Sequence, residues 1–209
     1  LDGLLATAEI AVFGLLIGIV IGTVLAIAKV VPKYHVFPRI CSGIAGVYIA
    51  IFRGTPMVVQ LLIGYFVLMP ALGISAQPLG VAILIFGLNS GAYVSEIMRS
   101  GINSVDRGQL EAGRAVGLSY SVSMFKIVIP QAIKNILPTL GNEFIVLVKE
   151  TSVASFIAVT DLTKAFRDIA DATYEYIIPY LTLAAVYLIM VLIITLLIKL
   201  MERRLARSD

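Results

Sequence analysis

Residues 111–130, EAGRAVGLSYSVSMFKIVIP, form a polar and charged island in an otherwise apolar chain. Glu111 to Val116 has the composition of a short helix. Gly117 is a natural left-handed helix terminator, and Ser119 is placed to cap a second helix. The apolar residues Met124, Phe125, Ile127 and Val128 then lead into the next hydrophobic run. The local reading is a rigid helix-turn-helix knob over about residues 107–126, with an ordinary amphipathic interfacial helix as the alternative.

The sequence on either side is that of a membrane protein. Of the 209 residues, 59% are hydrophobic and only 14% charged, and the mean hydropathy is +0.99. Those values exclude an ordinary soluble domain. Apolar runs near the length of about 20 residues needed to cross a bilayer lie at about Leu4–Ala28, Gly43–Leu68, Leu79–Met98, Ile129–Ser152 and Tyr176–Leu200. The expected fold is a single all-α membrane domain over residues 1–209, with five transmembrane helices and the polar knob between the third and fourth. The first run is too long for a signal-peptide core and lacks a small-residue cleavage pattern. The second contains Phe52-Arg-Gly-Thr-Pro56, which predicts a kinked or broken helix, with Arg53 expected to pair with a carboxylate. Pro138 and Gly141 predict a break in the fourth.

The basic residues orient the chain. Lys29, Lys33, Arg39, Arg99, Arg107, Arg114, Lys126, Lys134, Lys199, Arg203, Arg204 and Arg207 fall on one side of the spans, and only Lys149, Lys164 and Arg167 on the other. The knob and the C-terminus are therefore expected in the cytoplasm and the N-terminus outside. The net charge of +3 sits in short loops between spans, which argues against nucleic acid as a partner. Cys41 is the only cysteine, so no internal disulfide forms, and His35 is the only histidine. No metal-ligand spacing and no nucleophile–base arrangement appears in the spans. A membrane-embedded enzyme is thus disfavoured, and no catalytic or metal residue is expected.

Small residues recur every fourth position in the first span (Gly14, Gly18, Gly22, Ala26) and again at Gly87, Gly91 and Ser95. Both stripes read as helix-packing faces. Polar residues inside spans are costly and mark either a solute path or a buried network. On that ground Glu9, Gln60, Asn89, Tyr93, Thr151, Ser152 and Asp161 are the candidate path residues, with Glu9 and Asp161 able to pair with a cationic solute. Helix capping is the structural alternative for Asp161, and an interfacial carboxylate is the alternative for Glu9. Asn142, Glu143, Lys149 and Glu150 on the fourth span read as a buried network. The segment Val153–Glu175 reads as a re-entrant or gating element.

The motif Glu111-Ala-Gly, three residues, Gly117, nine residues, Ile127-Val-Ile-Pro130 resembles the EAA loop of the membrane subunits of ABC importers. Gly113 stands where that pattern has a second Ala, and Ile129 where it has Leu. FRGTPMVVQLLIGYF, LNSGAYVSEIMRSGI and PQAIKNILPTLGNEFIVLVKETSVASFI extend the likeness over nearly the whole chain, to the polar amino acid branch of these permeases. The resemblance implies docking of Glu111, Ala112, Gly113, Arg114 and Gly117 on a cytoplasmic ATPase. It also implies two such ATPase subunits carrying ATP and magnesium, a second permease copy, an extracytoplasmic solute-binding protein and a place in a prokaryotic cytoplasmic membrane. This chain has no phosphate-binding loop of its own and would bind no cofactor. The resemblance further implies a neutral residue, often Gln, at position 9 in many relatives, so an acid there points to a basic amino acid as cargo. A neutral or acidic amino acid such as glutamine is the alternative. An ion-coupled secondary carrier is also compatible with a broken helix and intramembrane acids, but has no need of the knob.

Overall fold

The computed structural model describes residues 1–32 and 34–206; Lys33 and Arg207, both used in the charge reading, lie outside the described residues. All regular structure among the described residues is helical. Among the described residues four helices are long and apolar enough to cross a membrane: α1 (Asp2–Val30), α2 (Val36–Gly54), α4 (Pro78–Asn103) and, over Ile177–Arg204, the last helix α9 (Ile177–Ala206). The shorter apolar α3 (Met57–Ala71) follows α2. Helix α7 (Ile129–Glu150) has sufficient length, but Lys134, Glu143, Lys149 and Glu150 keep it out of the strongly apolar set.

The core is built on α1 against α4. A Cβ added at Gly14 would lie 3.1 Å from Phe86 Cβ, and one at Gly22 would lie 2.6 Å from Val94 Cγ1. In return, Gly87 and Gly91 receive Ile17 and Ile21. The two small-residue stripes therefore face each other, and each absent side chain lets the opposing helix approach. Numbers rise together along the seam, so α1 and α4 run parallel. Helix α7 runs antiparallel to them, as shown by Gly101 against Ile136 at one end and Ser90 near Glu143 further along. Helix α9 packs along α7, with Ile198 over Gly141. Met190 and Ile194 pack against the core, while Leu188, Ile189, Leu192, Ile193, Leu196 and Leu197 are exposed, as suits a helix with one face to lipid.

The second apolar run is a true break rather than a kink. Helix α2 ends at Gly54, Thr55 is extended, and α3 begins after Pro56. Pro56 has no N–H to give the carbonyl of Phe52, four residues earlier. Two side-chain amides replace it. Gln60 Nε2 donates to Phe52 O at 2.8 Å and to Thr55 O at 3.0 Å, while Asn89 Nδ2 donates to Gln60 Oε1 at 2.9 Å and to Phe52 O at 3.4 Å. An unpartnered carbonyl at this depth would be costly, and these amides remove that cost.

The expected break in the fourth run is corrected. Helix α7 continues through Pro138 and Gly141 to Glu150. Proline deletes a single backbone bond there, and the close seat of Gly141 beneath Ile198 keeps the helix packed on both sides.

Candidate functional site

The polar knob is a closed helical hairpin. Helix α5 (Arg107–Ala115) starts at Asp106, whose carboxylate accepts from the Gly108 N–H at 2.7 Å. At its other end Gly117 lies at φ +89, with the Gly117 N–H donating to Arg114 O at 3.0 Å and the Leu118 N–H to Gly113 O at 3.1 Å. That pair of bonds is a Schellman closure, which needs a residue in the left-handed region. Ser119 then caps α6 (Tyr120–Ser123), its hydroxyl accepting from the Val122 N–H at 3.3 Å. A single π turn, Met124–Val128, joins α6 to α7. The expected termination at Gly117 and cap at Ser119 are both present.

Gly113 faces inward, where an added Cβ would meet Ile127 Cδ1 and Ser123 Oγ, each at 2.8 Å. The position where the EAA pattern has Ala is thus the inner seam of the hairpin, and glycine lets the two limbs close. Gln109 and Gln131 tie the limbs at 3.3 Å. Outward, Glu111, Ala112, Arg114 and Gly117 are exposed. Glu111 and Arg114 line a groove of about 840 Å³ together with Pro32, Tyr34, Leu110, Ala115 and Tyr120. Burial, then the nearby Tyr34, pushes the Tyr120 hydroxyl up from its usual range. Val116 at 78% and Tyr34 at 85% exposure leave apolar surface beside these charges. A charged, partly apolar knob of fixed shape is suited to receiving another protein.

The candidate path residues separate into several places. Gln60 and Asn89 meet across the break between α2 and α3, where they hold its backbone. Tyr93 lies one turn beyond Asn89 and lines a cavity of about 600 Å³ with Arg53, Glu96, Ser100, Ser104, Asn135 and Thr139. Glu9 is exposed on α1. Thr151 is buried and gives its hydroxyl hydrogen to Val148 O at 2.7 Å. Ser152 donates to Lys149 O at 2.9 Å and lines a smaller outer cavity of about 290 Å³ with Lys149, Thr163 and Tyr187. Glu143 lies 3.4 Å from Ser90 Oγ, which ties α7 to α4.

Asp161 is fully buried at the start of α8 (Leu162–Thr173). Its two carboxylate oxygens accept from the Thr163 N–H at 3.1 Å and the Lys164 N–H at 3.0 Å, and Thr7 of α1 accepts from the Leu162 N–H at 3.1 Å. The helix start is therefore satisfied within the fold. Burial pushes the Asp161 carboxyl above its usual range, opposed by the backbone bonds from Lys164 and Thr163. Because Asn caps as well as Asp, Asp161→Ala is expected to cost about 1–2 kcal/mol, whereas Asp161→Asn leaves stability and solute uptake near wild type. Thermal unfolding in detergent together with uptake in cells checks this; loss of uptake in a stably folded Asp161→Asn would assign the carboxylate to the solute.

Arg53 departs from expectation. No carboxylate of the described residues pairs with it. Its guanidinium stands over the Tyr93 ring, 5.4 Å from the centroid. Glu96, the acid nearest to hand on α4, is held by Arg99 at 2.7 Å one turn along the same helix. The contact that replaces the expected ion pair joins residues 40 positions apart in sequence, so local reading had no access to it.

Residues 14–207 match the family of binding-protein-dependent transport system inner membrane components. The chain belongs to this family. It is accordingly a transport component and not an enzyme. The arginine transport system permease protein ArtQ of Bacillus subtilis is 40% identical over 100% of this chain and 93% of the relative. The glutamine transport system permease protein GlnP of Rickettsia bellii, whose assignment is itself putative, is 40% identical over 99% of this chain and 93% of the relative. Among solved structures, an amino acid ABC transporter crystallised with histidines superposes with a TM-score of 0.89 at 40% identity, covering 97% of this chain and 92% of that one. The methionine ABC transporter MetNI, in an inward-facing conformation, shares the fold at a TM-score of 0.74 and 19% identity.

Proposed function

We propose that this inner membrane component is the permease subunit of an ATP-driven amino acid importer, working by alternating access. Five segments cross the bilayer (α1, the broken pair α2–α3, α4, α7 and α9), with the N-terminus outside and the C-terminus in the cytoplasm. In this reading α5 is the coupling helix. Two ATPase subunits, which carry the ATP and magnesium, dock on the hairpin through Glu111, Ala112, Arg114 and the turn at Gly117, with Gly113 holding its shape. A second permease copy, identical or related, completes the path, and an extracytoplasmic solute-binding protein delivers the amino acid. The location is a prokaryotic cytoplasmic membrane.

The observation that carries this reading is the hairpin itself: rigid, exposed and charged, at the end of the bundle where the basic residues gather. An ion-coupled carrier gives no reason for such a knob. ATP-driven closure of the partner dimer would bias the permease between two arrangements through the hairpin.

Glu9 supports a basic amino acid as cargo, because an exposed acid on the first helix offers an ammonium or guanidinium a partner. The arginine permease named among the relatives fits that choice, and the glutamine permeases named at similar identity support the second reading, a neutral amino acid. Uptake of labelled L-arginine in the presence of lysine, histidine or glutamine separates them. The basic reading predicts competition by lysine and histidine but not glutamine, and a KM raised about tenfold in Glu9→Gln. Equal competition by glutamine with an unchanged KM in Glu9→Gln would select the neutral reading.

A further inference from the structure

The cavity under Arg53 has the composition of a second solute site. It holds about 600 Å³ between the end of α2, α4 and α7, which is within the range of small-molecule pockets. Tyr93 lies ten residues before the end of α4, so its ring sits about 15 Å in from the cytoplasmic-side end of that helix. A guanidinium at that depth does not face lipid without a partner. The close contact that Arg53 makes is with the Tyr93 ring, 5.4 Å to its centroid. Glu96 lies close enough to feel the charge of Arg53, but its carboxylate already receives Arg99 through three contacts of 2.7–3.2 Å, so one acid faces two guanidinium groups. The cavity thus presents a planar cation only partly offset by a shared carboxylate, beside an aromatic face and the hydroxyls of Ser100 and Ser104.

A planar guanidinium is matched to a carboxylate, which it grips through two parallel N–H bonds. We propose that this cavity is an inward-facing binding site for a free amino acid, with Arg53 holding the α-carboxylate over the Tyr93 ring. Its place on the inner half of α4 makes it a station before release, and one that cytoplasmic amino acid can refill. Depth argues against a lipid headgroup as the anion, since headgroups lie at the helix ends. The inference rests on the amino acid permease reading.

The test uses the assembled permease–ATPase complex in nanodiscs without binding protein, with L-arginine, L-glutamine and agmatine (arginine without its carboxylate) as probes. Arg53→Gln is expected to weaken binding of the transported amino acid by about tenfold or more, and Arg53→Lys by a smaller factor, because lysine keeps the charge and loses the fork. Agmatine is expected to bind wild type weakly and to be indifferent to Arg53→Gln. Binding by Arg53→Gln equal to wild type overturns the site, as does agmatine binding as tightly as L-arginine. Should Arg53→Gln fail to assemble, Arg53→Lys decides: affinity equal to wild type for the transported amino acid overturns the two-bond grip. ATP hydrolysis in response to amino-acid-loaded binding protein, measured on the wild-type complex, separates the two claims. A response without any Arg53 effect defeats the site alone, while no response and no binding defeats the permease reading.

Discussion

Gly117→Val is expected to leave the chain inserted in the membrane while cutting solute transport by about tenfold or more. Gly117 sits at φ +89, where a β-branched residue is strained. Strain of about 1–3 kcal/mol falls on a closure that holds only two backbone bonds, from Gly117 to Arg114 and from Leu118 to Gly113. The membrane core does not depend on that turn, so the hairpin opens while the bundle stays folded. The knob then loses the shape on which docking relies. Gly117→Asn tolerates the left-handed region better and is expected to retain most transport. Uptake, normalised to the amount of chain in the membrane, checks both. Wild-type uptake by Gly117→Val would show that the closed hairpin is not the coupling element.

Gly18→Leu is expected to have the largest effect on folding, lowering stability by about 3 kcal/mol or more. A Cβ at that position would lie 2.5 Å from Ser90 Oγ, 2.7 Å from Ser90 Cβ and 3.2 Å from the Gly91 backbone nitrogen. Two of those atoms are fixed close to the α4 backbone and cannot swing aside. The added leucine must therefore push α1 off α4, and the seam on which the core is built opens. Gly43→Leu and Gly80→Leu are the controls, since an added Cβ at either meets nothing within 4 Å. Thermal unfolding in detergent is expected to drop sharply for Gly18→Leu and little for the controls. Equal behaviour of all three would contradict the α1–α4 packing.

What could be read from sequence was local. Gly117 and Ser119 act within three residues of themselves, so the turn of the hairpin was legible in Glu111–Pro130. The glycine stripes were legible as packing faces, because period and residue size state that a helix must approach closely. That the stripes face each other was not, since it depends on pairing residues more than 70 positions apart. Gln60 and Asn89 show the same limit. Each looks like a solute contact because amides are rare in spans, yet they meet across 29 positions to serve the carbonyl that Pro56 leaves without a donor. Pro138 misled for the opposite reason. A proline signals a break only when packing does not hold the helix on both sides of it, and α9 supplies that packing beside Gly141. Arg53 was expected to pair with an acid, but the acid in reach, Glu96, makes its short ion pair with Arg99 on its own helix, and Arg53 stands over the Tyr93 ring instead.

ATPase coupling is tested most directly by isolating this permease from its native membrane, asking whether an ATPase accompanies it, and measuring ATP hydrolysis as amino-acid-loaded binding protein is added. A stable ATPase partner is expected, lost or weakened in Gly117→Val, with hydrolysis that rises with loaded binding protein. Amino acid uptake that persists without any ATPase and follows an imposed ion gradient would contradict that coupling.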